Sequence, residues 1–277
     1  MLGAIIGDIV GSRFEFIEED YRPKDFPLFM LSCRATDDSF MTLAVADALL
    51  LSKGDREKLK TQIIVSMRKV AHKHPNTGWG ERFYRWLFEG NSSISIDSYG
   101  NGAGMRISPV RWVADSEEVV KEISKSVSEV SHNHPEGIKG AEAVAMAVYL
   151  ARIGKSKSEI RARMQEYYPQ LSDPNFTIES IHGTYGYDDE GKWVTCQGSI
   201  PQALIAFLDS VDFEDAIRNA VCIGGDSDTI GAMAGSIAEA YYGISYEMED
   251  KALTYLTEDL LSIYYAFETI KKKRSKR

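Results

Sequence analysis

Thr36-Asp37-Asp38-Ser39-Phe40-Met41-Thr42-Leu43-Ala44-Val45-Ala46-Asp47-Ala48-Leu49-Leu50-Leu51 is the stretch that decides the fold class. Phe40, Leu43, Ala44, Ala48 and Leu51 recur at spacings of three and four, which places them on one face of a helix. Thr36 is a suitable N-cap, Asp37 and Asp38 fall in the first turn where the helix dipole favours anions, and Gly54 marks the end. The same spacing predicts helices over 59–72, 80–88, 116–131, 138–153, 202–208, 213–221, 228–242 and 251–269. Upstream, Gly3, Gly7 and Gly11 recur every four residues, so a first helix carries a face on which a second backbone can lie closely. Strand patterns are scarce. Residues 178–193 mix Gly183, Gly186 and Gly191 with aromatic and acidic residues and read as a long loop or a small hairpin. The expectation is an all-α fold of many helices, one domain over residues 1–270. A basic, flexible tail over 271–277 follows it.

With 277 residues and 44% hydrophobic content the chain can bury a sizeable core. A net charge of −9 disfavours a sequence-nonspecific nucleic-acid binder, which needs a basic face to displace counterions. Cys33, Cys196 and Cys222 are odd in number and widely spaced, so neither a disulfide framework nor a zinc site is expected. A reducing cytoplasm suits them. The apolar run from Met1 to Val10 is interrupted by Asp8, lacks a basic leader and is too short to span a bilayer, so no anchor or membrane partner is expected.

A second acidic cluster, Gly224-Gly225-Asp226-Ser227-Asp228-Thr229, opens the helix expected over 228–242. Asp226 and Asp228 are two apart and cannot share a helix face. In a glycine-led turn, with Gly224 and Gly225 in unusual torsions, both can converge on an ion. The four carboxylates of the two clusters, with the hydroxyls of Thr36 and Thr229, are all hard oxygen donors. Gathered in a cleft they would repel one another, and two Mg²⁺ or Mn²⁺ ions would neutralise them. Two other readings compete for the second cluster. An EF-hand loop needs an acidic bidentate ligand where Ile237 stands, and fails. An aspartyl-phosphate phosphatase needs a strand before its aspartates, for which 220–223 is a short candidate without the rest of a parallel sheet.

These motifs, with others between them, carry a family resemblance. Gly7-Asp8-Ile9-Val10-Gly11-Ser12-Arg13-Phe14-Glu15, Thr36-Asp37-Asp38, Gly100-Asn101-Gly102-Ala103-Gly104-Met105-Arg106, His132-Asn133-His134-Pro135-Glu136-Gly137 and Gly225-Asp226-Ser227-Asp228-Thr229-Ile230-Gly231 occur in the order of the ADP-ribosylglycohydrolase family. The chain resembles that family from Gly3 to Gly243. The resemblance implies a compact orthogonal multi-helix fold with a binuclear Mg²⁺ or Mn²⁺ centre. By motif position the metal ligands are Thr36, Asp37, Asp38, Asp226, Asp228 and Thr229, the same six that charge and donor type select. Glu15 resembles a glutamate beside the metals, and Asp37 and Asp226 are the aspartates expected to share catalysis with it.

Residues 98–106 bring backbone N–H groups and Asn101, Gly102 and Ala103 within reach of a diphosphate or ribose. A plain turn is the alternative. His132 is expected to contact ribose or adenine, and Gly137 to offer backbone groups at a helix N-terminus. Arg106 suits either a phosphate or an internal carboxylate and is left outside the site. His72, His74 and Trp79 are expected to be structural or at a rim; Tyr185, Tyr187 and Trp193 to line a lid or to pack. The reaction expected is hydrolysis of the glycosidic bond between ADP-ribose and an acceptor, foremost arginine on a modified protein. A non-catalytic ADP-ribose binder and a magnesium-dependent phosphatase are the alternatives.

Overall fold

A computed structural model of the chain describes residues 1–15, 23–90, 95–183 and 192–274, and among them the regular elements are helices. One isolated antiparallel bridge joins Gly100 to Thr195. The α-helices are α1 (Leu2–Gly11), α2 (Asp37–Ser52), α3 (Arg56–Lys73), α4 (Glu81–Phe88), α5 (Gly102–Met105), α6 (Glu117–Ser128) and α7 (Pro135–Arg152). They continue with α8 (Lys157–Met164), α9 (Ile178–Ile181), α10 (Cys196–Leu208), α11 (Phe213–Ile223), α12 (Ser227–Tyr242), α13 (Tyr246–Leu253) and α14 (Glu258–Arg274). The all-α expectation holds.

The glycine stripe explains how the two ends of the chain meet. Every residue of α1 is buried, Asp8 included, and α1 lies along α12, which also touches α7, α10 and α11. Gly3, Gly7 and Gly11 face Gly235, Gly231 and the Ser227–Asp228 backbone, so main chain rests on main chain. A β-carbon on Gly231 would stand 2.6 Å from the Gly7 carbonyl oxygen, closer than such atoms approach. Only hydrogen at these positions permits the crossing. Around it a single apolar core draws on nearly every helix, with α2 held between α3 and α14.

Several boundaries differ from expectation, each for a local reason. α7 begins at Pro135, because proline at the first helical position needs no N–H partner and the His134 side chain caps the turn by accepting from Glu136 N at 3.2 Å. α10 begins at Cys196, capped by Thr195, and runs through Pro201 rather than starting after it. The helix expected over 251–269 is two, broken at 254–257. α8 was not anticipated, although Ser156 and Glu159 form a reciprocal capping box at its start. Residues 178–181 form the short helix α9, and 184–191, with Tyr185, Tyr187, Gly186 and Gly191, lie outside the described residues. α14 continues to Arg274, while 275–277 of the basic tail also lie outside them. The strand considered over 220–223 is the last turn of α11, which removes the structural basis of the phosphatase alternative. No helix among the described residues is long and apolar enough to cross a membrane. All three cysteines are buried, and none is in a disulfide.

Candidate metal centre and ligand cleft

Two helix N-termini converge on one acidic cluster. α2 has Thr36 as N-cap with Asp37 and Asp38 in its first turn, and α12 has Asp226 as N-cap with Asp228 in its first turn. Gly224 and Gly225 take φ of 94° and 65°, a conformation that glycine alone adopts cheaply, and turn the chain from α11 into α12. One carboxylate oxygen from each of Asp8, Asp38 and Asp228 lies within 4.8 Å of the others. The same holds for Glu15, Asp226 and Asp228, so the two triads share Asp228. Thr229 Oγ1 donates to Asp38 Oδ2 at 3.2 Å, and Asn101 Nδ2 donates to Asp226 Oδ2 at 2.6 Å.

Asp8 is the member that sequence reading missed. Its Oδ1 accepts from Thr36 Oγ1 at 2.6 Å; its Oδ2 accepts from Thr36 N at 2.9 Å, Ser39 N at 3.1 Å and Ser39 Oγ. With both oxygens so engaged, Asp8 ties α1 to the start of α2 and orients Thr36. Its signal in the sequence was a lone acid inside an apolar helix, two steps from being read as more than an interruption.

The electrostatics follow from burial. Desolvation, reinforced by Asp228 and then Asp8, raises both Asp37 and Asp38 well above the usual carboxylate range. Desolvation and then Asp226 do the same to Asp228, and desolvation raises Asp8 against four opposing hydrogen bonds. Asp226 is pushed up to about 6 by burial, and Glu15 to about 8 by burial and then Asp228. Burial is the largest cause throughout, and like-charged neighbours add to it at every member but Asp8. Asp38 Oδ1 is buried and has no hydrogen-bond partner among the described residues. A cluster of oxygen donors that cannot all ionise unaided, with one orphaned oxygen, fits a hard divalent cation.

The cluster lies in a cleft of about 400 Å³ whose lining includes Glu15, Asp37, Asp38, Asp226, Asp228 and Thr229. Asn101, Gly102, Arg106 and His132 line it too, with Phe83 and Trp193. Asp37 shares this cleft but belongs to neither close triad. Thr36 opens instead onto an adjoining cavity of about 480 Å³ that shares Glu15, Asp37 and Gly78 with the cleft. Ala103 and Gly137 are not brought to the cleft lining. Ala103 is fully buried in α5, and Gly137 packs so closely that a β-carbon there would lie 2.7 Å from Ser98 O. The stretch expected as a glycine-rich loop is thus partly one helical turn, α5, with Asn101 preceding it. Trp193 reaches the cleft, whereas His74 and Trp79 pack together, Trp79 Nε1 donating to His74 O at 3.1 Å. His72 bonds Arg68 O at 2.8 Å. A larger cavity of about 510 Å³, between the end of α2 and the start of α6, has no comparable cluster in its lining.

A model of the ADP-ribosylglycohydrolase family matches residues 1–265. The chain belongs to the ADP-ribosylglycohydrolase family. As a member of it, the chain is a hydrolase by class. ADP-ribosylhydrolase ARH3 of Bos taurus is 24% identical over 309 aligned positions, covering 88% of this chain and 84% of that protein. ADP-ribosylarginine hydrolase Tri1 of Pseudomonas putida (strain GB-1) is 26% identical over 266 positions, covering 88% and 70%. A solved structure described as an ADP-ribosylglycohydrolase-related protein complex matches with a TM-score of 0.65 and 21% identity, over 98% of this chain and 97% of that one. That likeness shows that this ADP-ribosylglycohydrolase shares its fold.

Proposed function

We propose that this protein hydrolyses the N- or O-glycosidic bond between ADP-ribose and an acceptor, with arginine on a modified protein as the first substrate to test. The carrying observation is the pair of acidic triads sharing Asp228, of which Glu15, Asp38, Asp226 and Asp228 line a cleft that also holds Asn101 and His132. Thr36, Asp37, Asp38, Asp226, Asp228 and Thr229 are proposed to hold two Mg²⁺ or Mn²⁺ ions. Bound there, the ions supply Lewis acidity toward water and the ribose hydroxyls.

The chain's own residues do the rest. Asn101 spends an amide proton on Asp226, which holds that carboxylate in one orientation. Positive charge develops on the ribose as the glycosidic bond lengthens, and the carboxylates of Asp37 and Asp226 stabilise it. Glu15 lines both cavities; kept ionised by the bound cations, it would take a proton from water and return it to the leaving group. The acceptor is assigned to the adjoining cavity, where Glu15 and Asp37 stand beside Arg34 and a guanidinium would have to compete with Arg34 for those carboxylates. ARH3 is named for hydrolysis without an acceptor and Tri1 for ADP-ribosylarginine, so both arginine and other linkages belong in the assay. Three buried cysteines without a disulfide suit a reducing compartment such as the cytoplasm.

The deciding experiment is a panel of arginine-, serine- and nucleobase-linked ADP-ribose, assayed with each metal and after chelation. Metal-dependent release of ADP-ribose from at least one linkage is expected. Binding of ADP-ribose with no release from any of them would identify a non-catalytic binder instead.

A further inference from the structure

Arg106 ends α5 fully buried, and among the described residues it forms no ion pair. Its Nη2 donates to Ser131 Oγ at 2.7 Å and faces His132 Nδ1 at 2.9 Å. A guanidinium has donors only, so the ring nitrogen that it meets must present a lone pair. The single imidazole proton then sits on Nε2. Ser131 Oγ lies 2.8 Å from the same Nδ1 and, as acceptor from Arg106, helps hold the guanidinium against the ring. A second ring proton is disfavoured, since burial and then Arg106 and Arg82 hold His132 neutral, well below its ordinary range. Phe83 packs over both groups, 5.3 Å from the guanidinium carbon and 6.2 Å from the imidazole centre.

The other nitrogen is turned toward the ligand cleft. A β-carbon on Gly102 would stand 3.1 Å from Nε2 and one on Gly100 3.7 Å, so glycines border that N–H. Among the described residues Nε2 makes no hydrogen bond, and His132, Arg106 and Gly102 all line the cleft.

We propose that Arg106 is a positioning residue that locks His132 in the Nε2–H tautomer, making it a permanent hydrogen-bond donor to an oxygen of the bound ligand. The identity of that ligand as an ADP-ribosyl compound rests on the function proposed above; the lock itself does not.

The test uses ¹⁵N-histidine-labelled, magnesium-loaded protein and long-range ¹H–¹⁵N correlation near neutral pH, with His132 assigned by the signals lost in His132→Gln. Wild type should show an unprotonated Nδ1 and a protonated Nε2. Arg106→Met should give a mixture of tautomers and a KM for ADP-ribosylarginine raised roughly tenfold or more, with kcat falling less, as for a lost hydrogen bond to a charged group. Arg106→Lys, which keeps a donor, should restore the tautomer and most of the KM. A protonated Nδ1 in wild type overturns the proposal whether or not any variant folds. So does a folded Arg106→Met protein with the wild-type spectrum and KM. The expected tautomer in a protein that neither binds nor cleaves any ADP-ribosyl compound would refute the function and leave the lock standing.

Discussion

Asp226 and Asp8 are both buried carboxylates of one cluster, yet they do different work. Asp226 is fixed by Asn101 with an oxygen left for the cleft, so Asp226→Asn should cost on the order of 100-fold or more in kcat/KM. Asp37→Ala should cost a similar factor, and near-wild-type turnover in either variant with metal still bound would refute their assignment. Asp8 has both oxygens engaged by Thr36 and Ser39, so Asp8→Asn puts an amide N–H against donors. Metal affinity, measured by calorimetry, should fall roughly 10- to 100-fold, as for other groups that orient ligands. An unchanged affinity would leave Asp8 a structural acid only. The meeting of two acidic helix starts was legible because oxygen-bearing residues at two such positions are unusual in pattern. Asp8 was not, because one charge in an apolar run says nothing about which donors will surround it. Arg106 and His132 were harder still, since their pairing depends on how two distant loops come together.

At the scale of elements, the crossing of α1 and α12 sets the site. Gly7→Ala drives a methyl into the Gly231 backbone, which has no rotamer by which to yield, and should cost about 2 kcal/mol or more. Gly80→Ala is the comparison: its β-carbon would meet nothing within 4 Å, and only cap preference is lost, less than about 1 kcal/mol. Chemical denaturation of the two variants should separate them clearly; equal stabilities would mean that the helices can slide apart without penalty. The stripe of glycines was readable as a place for close approach, and α2 and α12 were readable from their periodicity. Which helix would lie on the stripe was not, because Gly231 and Gly235 look like ordinary interruptions until the two faces meet. The short helices α5 and α9 were missed for the opposite reason: four residues are too few to establish a period.

For the whole molecule, the buried acidic cluster couples folding to pH and, on the function proposed above, to metal. Its carboxylates titrate near 4 when unfolded, whereas the folded chain raises Asp226 to about 6 and Glu15 to about 8. The folded state therefore binds more protons in this window, and the stability of metal-free protein should fall as pH rises from about 4 to about 8. Magnesium or manganese should reverse that loss, raising the melting temperature more at pH 8 than at pH 5. A metal-free melting temperature that climbs through the same window would show that the cluster is not as buried as described. Removal of metal by EDTA should abolish turnover, with recovery on adding either ion back.

The pairing of α1 with a helix translated long after it bears on biosynthesis. A ribosome releases α1 early, as an almost wholly apolar segment, and its resting place does not exist until α12 has been translated. Contacts so remote in sequence form slowly. Until α12 follows, the nascent chain thus carries an apolar segment with nowhere to dock, a natural client for a holding chaperone. Prematurely terminated products lacking α12 should accordingly aggregate rather than persist as partly active fragments.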